Sequence, residues 1–209
     1  MNRLQPNSDD LLLVIDVQND FCSGGALAVP AADEVIAPIN RLAERFEHIV
    51  LTQDWHPADH HRFASQHPGH QPFETVTLGY GKQTLWPEHC VQGSPGAEFH
   101  PQLALTARAE LILRKGYRRS IDSYSAFYEN DRSTPTGLCG YLRERGIRRL
   151  FLAGLATDYC VLYSALDARR AGFQTVLLAE ACRGLDIEGS VAKALAAMRA
   201  AGVEVLERA

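Results

Sequence analysis

Residues 150–161 read LFLAGLATDYCV. An apolar run from Leu150 to Ala153 stops at Gly154; a helical pattern then opens near Thr157, with Cys160 in its first turn. A short, continuous apolar run is the mark of a strand buried on both faces, and such strands belong to parallel sheets covered by helices. In open α/β sheets, ligands bind outside the carboxyl ends of the strands. The stretch therefore predicts a fold class and places a thiol where that fold does its chemistry.

Working outward, the same alternation recurs. Strands are expected at 11–15, 48–52, 110–113, 149–153, 174–178 and 203–206. Helices are expected at 30–46, 136–145, 158–171 and 188–200, the last three stopped by Gly146, Gly172 and Gly202. Strands alternating with helices of this length imply crossovers and parallel pairing. The expectation is a three-layer, Rossmann-like α/β domain spanning 1–209, with a six-stranded parallel sheet flanked by helices. Residues 1–9 form a polar tail. Residues 54–109 lack periodicity and hold most of the histidines, and a loop region that long is usually functional.

Composition excludes several classes. The 209 residues are 46% hydrophobic, enough for one core. The net charge of −4 comes from interspersed acids and bases, with no basic stripe for a nucleic acid. No apolar run reaches the roughly 18 residues of a membrane span, and the polar start lacks the apolar centre of a signal peptide. Five scattered cysteines do not form a disulfide framework. A cytoplasmic protein with reduced thiols is expected.

The first four strand exits each deliver a reactive side chain to one edge: Asp16, then Asp54 with His56, then Lys115, then Cys160. With Thr157 as N-cap, Cys160 would be the third helical residue, where the helix dipole favours a thiolate. The plainer alternative is a small buried apolar side chain. Asp16 either caps a loop or takes the thiol proton. Lys115 is either a solvated strand end or the charge that holds both as anions. Cys22, Cys90, Cys139 and Cys182 read as structural. In DWHPADHH, residues 54–61, Asp54 and His56 can face one side of an extended segment. A metal site would need a third ligand from His60, His61 or His89; otherwise the segment is a solvated histidine-rich loop.

Taken together, DVQNDFCSGGALAV, TQDWHPADHHRFAS, LWPEHCVQGSPGAEFH, RKGYRRSIDSYSAFYEND and GLATDYCVLYSALDA resemble the nicotinamidase/pyrazinamidase group of the isochorismatase-like cysteine hydrolases. The resemblance runs from Leu11 to Val205. It departs at residues 78–82, LGYGK, where many relatives carry a Gly-Leu-Pro run. It implies deamidation of nicotinamide, and of pyrazinamide, in NAD salvage. Asp16 would be the general base, Lys115 its cationic partner and Cys160 the nucleophile. The amides of Ala156 and Cys160 would form the oxyanion hole, beside a cis Leu155–Ala156 peptide. Phe21 and Trp86 would sandwich the ring, with Tyr124 and Leu155 also against the substrate. Asp54, His56 and His89 would hold one divalent metal, zinc first, iron or manganese as alternatives, with His60 as an extra or substitute ligand. The partner is a small molecule, not a membrane or nucleic acid, and a homo-oligomer is compatible with the family. Two rivals stand beside this reading. One is a relative acting on isochorismate or a carbamoyl or ureido compound; the other is a non-catalytic metal or thiol-redox protein.

Overall fold

The computed structural model describes residues 4–208, so the first three residues of the polar tail and Ala209 lie outside it. In chain order the strands are β1 (Asp10–Ile15), β2 (His48–Asp54), β3 (Thr75–Leu78), β4 (Gly81–Thr84), β5 (Leu111–Lys115), β6 (Arg149–Leu155), β7 (Gln174–Arg183) and β8 (Glu204–Leu206). The helices are α1 (Ile36–Ala43), α2 (Leu138–Glu144), α3 (Leu162–Arg170) and α4 (Ser190–Ala200). Six strands form one sheet in the order β5-β2-β1-β6-β7-β8, and every neighbouring pair is parallel. The expected sheet is the one found.

Its central strands are buried end to end because helices cover the sheet: all six residues of β1, DLLLVI, are inaccessible. On α1, Ile36, Ile39 and Leu42 recur at helical spacing and face the core. From β1 the order runs one way to β2 and β5 and the other way to β6, β7 and β8. The β1–β6 seam is therefore the topological switch point, where a crevice opens at the carboxyl edge.

Several boundaries differ from expectation. The helix foreseen at 30–46 is a 3-10 turn, Ala32–Val35, followed by α1, because Ala31 takes a left-handed φ of 55°. Strand β7 runs to Arg183, five residues beyond the apolar run, since it pairs with the far end of β6 past a bulge between Leu152 and Gly154. The long loop contains an antiparallel hairpin, β3–β4, that its polar, alternately exposed residues did not announce.

The start of the helix after β6 is also different. Thr157–Val161 is a single wide turn in which the Val161 amide reaches the Ala156 carbonyl at 3.2 Å, a five-residue step. Ala156 occupies the cap position and no side chain caps the turn, so Thr157 lies inside it and is not the N-cap. Such wide turns are rare and cluster at functional sites. Gly154 makes the seam possible: a Cβ there would stand 2.1 Å from the Ile15 carbonyl oxygen, and φ is +118°. Only glycine permits so close a backbone approach beside Asp16.

Candidate active site

The side chains foreseen at the strand exits do meet. Lys115, the last residue of β5, is buried with its Nζ 2.7 Å from Asp16 Oδ2 and 3.4 Å from Cys160 Sγ. The same ammonium touches Asp54 Oδ1 directly and donates to the Ser123 carbonyl at 3.1 Å. A carboxylate oxygen of Asp16 and one of Asp54 lie within 4.8 Å of the Cys160 sulfur. Asp16 is held in place from β2, its Oδ1 accepting from Thr52 Oγ1 at 2.6 Å.

Protonation follows from burial and charge. Burial is the largest influence on Asp16 and lifts its pKa above 3.8, with Lys115 opposing. Asp54 goes the other way: burial would raise it, but Lys115, His56 and Arg62 together hold it well below the carboxylate range. Burial also pushes the Cys160 thiol well above its usual 9.0, and Asp16 and Asp54 add to this while Lys115 opposes. Burial first, and then the two carboxylates, act against the thiolate that a helix-start position favours.

Asp54 links this cluster to a second one. Its Oδ2 is 3.2 Å from His56 Nε2 and 3.9 Å from His89 Nε2. His56 Nδ1 donates to the Gly116 carbonyl at 2.7 Å, and His89 Nδ1 donates to the Pro87 carbonyl at 2.7 Å. Both rings therefore present an Nε2 lone pair to Asp54, and His89 Nε2 is buried without a hydrogen-bond partner. Imidazoles anchored by one nitrogen to backbone carbonyls, with the other turned toward a carboxylate, suit a divalent ion such as zinc; His89 Nε2 has no partner, whereas His56 Nε2 lies 2.7 Å from the Arg62 guanidinium. His60 is committed elsewhere: its Nε2 donates to the Ile121 carbonyl at 3.3 Å and its Nδ1 accepts from the Arg62 amide at 3.0 Å. His61 lies apart, on an open depression with Leu78, Tyr80 and Asp131.

A pocket opens over the sulfur, walled by Phe21, Trp86, Tyr124 and Tyr159, with Ala156 and Cys160 at its base. Trp86 Nε1 donates to the Tyr124 hydroxyl at 3.0 Å, which fixes both rings. Leu27, Val29 and Leu185 complete the apolar wall. Leu155, expected against substrate, is instead fully buried at the end of β6 as part of the core, and the next residue, Ala156, faces the pocket. The Leu155–Ala156 peptide is cis.

Three contributors escaped the sequence reading. Thr52 and Gln18 look like ordinary polar residues. Gln18 nonetheless clasps the end of β2 with bonds of 2.8 Å to both the amide and the carbonyl of Asp54. Arg62, in a loop already rich in polar residues, is buried with its guanidinium 2.7 Å from His56 Nε2 and 3.0 Å from Asp122 Oδ1. Nothing in their local pattern distinguishes them from surface polar residues.

A thiol, a carboxylate and an ammonium gathered at the switch point of a parallel sheet are the equipment of a cysteine hydrolase. Over residues 10–209 the sequence matches the Isochorismatase domain, and the chain belongs to that family. It is 52% identical to the nicotinamidase of Acinetobacter baylyi, covering 97% of this chain and 94% of that protein. The solved structure of a nicotinamidase/pyrazinamidase of Acinetobacter baumanii superposes with a TM-score of 0.94 at 52% identity, covering 97% of each chain. The pyrazinamidase of Pyrococcus horikoshii, solved in complex with zinc, superposes with a TM-score of 0.77 at 35% identity, covering 95% of this chain and 98% of that one.

Proposed function

We propose that this chain hydrolyses nicotinamide to nicotinate and ammonia through a thioester on Cys160. The observation that carries the reading is the contact of Lys115 Nζ with both Asp16, at 2.7 Å, and Cys160, at 3.4 Å, beneath an aromatic pocket. A redox thiol would need a resolving cysteine, and neither Cys22 nor Cys182 belongs to the group around Cys160. The relatives at 52% identity and the near-complete superposition favour the nicotinamide amide over other substrates of the family.

Because burial favours the protonated thiol, attack needs a base, and of the two carboxylates in reach Asp16 is the more basic, Asp54 being held well below the carboxylate range. Its raised pKa brings it closer to the thiol in basicity than an ordinary aspartate would be. Cys160 sulfur bonds to the amide carbon as its proton passes to Asp16. The carbonyl oxygen takes the displaced electron pair, and the amides of Ala156 and Cys160 serve as its donors. One such donor contributes roughly 3 kcal/mol to lowering the barrier. Collapse of this intermediate breaks the C–N bond, and Asp16 returns the proton to the leaving nitrogen as ammonia. A water deprotonated by Asp16 then cleaves the thioester, and the proton goes back to the sulfur. Lys115 stays charged throughout, since Asp16 and Asp54 outweigh its burial and hold its pKa well above 10.5.

Phe21 and Trp86 hold the flat ring. Asp54, His56 and His89 would hold one divalent ion, zinc by the likeness to the Pyrococcus structure. When bound, that ion would supply a Lewis-acidic anchor for the ring nitrogen. The substrate is the amide freed when NAD is broken down, which places the reaction in NAD salvage, and pyrazinamide offers the same geometry.

The test is ammonia release by the purified protein from nicotinamide, pyrazinamide, isochorismate and ureido compounds. Nicotinamide should be turned over fastest. Turnover of another family substrate without any nicotinamide hydrolysis would overturn the assignment.

A further inference from the structure

Arg62 reaches the Asp54–His56–His89 niche from the loop after β2, its side chain only 3% exposed. One guanidinium nitrogen, Nη1, lies 2.7 Å from His56 Nε2, 3.2 Å from Asp54 Oδ2 and 3.0 Å from Asp122 Oδ1. The group also lies over the rings of Trp86 and Tyr124, at 5.8 and 5.5 Å from their centroids.

The tautomer of His56 makes this contact consequential. A carbonyl can only accept, so Nδ1, 2.7 Å from the Gly116 oxygen, carries the proton. Nε2 is then left with a single in-plane lone pair, and Arg62 Nη1 uses it. A metal ion bound to His56 would need that same pair.

We propose that Arg62 is a built-in occupant of the metal niche, mutually exclusive with a divalent ion at His56 Nε2, and that it sets how tightly this chain holds its metal. The proposal rests on the reading of Asp54, His56 and His89 as ligands. Exclusion is electrostatic as well as steric, since a guanidinium and a dication a few ångströms apart in a buried site repel strongly. The Asp54 Oδ2–His56 Nε2 separation of 3.2 Å is close to the span of two ligands on one tetrahedral zinc. The guanidinium thus holds the two ligands at a metal-ready spacing while it balances the Asp54 charge. Asp122 gives the displaced group somewhere to go. Its Oδ1 already pairs with Arg62, and Asp122 groups with His56 and His60, outside the Asp54–His56–His89 and Asp16–Asp54–Cys160 sets. Arg62 can release His56 and keep a counter-ion.

Wild type, Arg62→Gln and Arg62→Ala, stripped of metal, would be titrated with zinc against a chromophoric chelator. Both variants should bind zinc about tenfold or more tightly than wild type, because they no longer share His56 between two occupants. Their metal-free forms should melt lower than metal-free wild type and gain more from zinc. Equal zinc affinity in folded wild type and variants would overturn the proposal while leaving the ligand assignment intact. Failure of all three to bind one zinc, with a His56→Ala control no different, would sink the ligand assignment and this proposal together. Should neither variant fold, crystal structures of wild type with and without zinc decide the matter. Zinc on Asp54, His56 and His89 with Arg62 still bonded to His56 Nε2 would overturn it.

Discussion

Gly116 and His56 are fitted to each other: the Gly116 carbonyl accepts from His56 Nδ1 at 2.7 Å, and a Cβ on residue 116 would stand 2.3 Å from the ring's Cε1. Gly116 also has a φ of +64°, a left-handed conformation that glycine adopts without strain. The Lys-Gly step at the end of β5 thus places the ammonium beside Asp16 and Cys160 and the carbonyl that orients His56 on consecutive residues.

Gly116→Ala is expected to tilt the His56 ring and weaken zinc binding by roughly 10–100-fold, the usual effect of losing an outer-shell partner. Chelator competition measures this directly. Unchanged zinc affinity in the folded variant would show that Gly116 does not orient a ligand.

Thiol reactivity should report the resting protonation state. Alkylation needs the thiolate, and the Cys160 pKa lies above 9.0, so the rate of labelling by iodoacetamide should climb with pH without levelling below that value. A plateau under pH 8 would mean a preformed thiolate and remove the need for Asp16 as base. Correspondingly, kcat/KM should fall on the acid side through an Asp16 pKa above 3.8. Asp16→Asn should lose activity by about a hundredfold or more, and Cys160→Ala by more still, with nicotinamide binding kept.

Lys115 neutralises two buried carboxylates at once, Asp16 and Asp54. Lys115→Met leaves Asp16 without a counter-ion and Asp54 with Arg62 alone, so a loss of about 3–5 kcal/mol is expected by denaturant unfolding. A variant as stable as wild type at neutral pH would contradict the ion pairing described.

His60 should impose a pH dependence on stability. Burial holds its folded pKa at about 3, against 6.5 for the free side chain. Between these values the unfolded chain binds the extra proton, so stability is complete above pH 6.5 and is lost as the pH falls toward 3. Each unit of separation corresponds to about 1.4 kcal/mol. Urea midpoints of wild type should therefore drop more steeply below pH 6 than those of His60→Asn. Parallel pH curves would rule out a neutral buried His60.

The fold was legible because burial on both faces of a parallel sheet demands runs such as LLLVI at 11–15 and LFLA at 150–153, which periodicity detects. The Asp16, Lys115 and Cys160 group was legible for a related reason: each lies at or within five residues of a strand's carboxyl end, and parallel strands deliver those ends to one edge. The hairpin at 75–84 was not: Thr75–Leu78 alternates, but over only four residues and with none of them buried, so it leaves no apolar run to detect. Helix-start rules misplaced Thr157 because they describe an ordinary α-turn, whereas the Val161–Ala156 bond widens this one.

Sequence by itself determined the parallel α/β sheet, the residues at its carboxyl edge and the family, because these follow from patterns written into single segments. Tertiary structure alone decided the rest: that Asp54 bridges the thiol cluster and the histidine niche, that burial and two carboxylates act against a Cys160 thiolate, that Leu155 belongs to the core, and that Arg62 lies against His56 Nε2. Each of these depends on distances between groups from different loops and strands in a water-excluded space. There a few ångströms set which charges are paired, and local sequence carries no record of those distances.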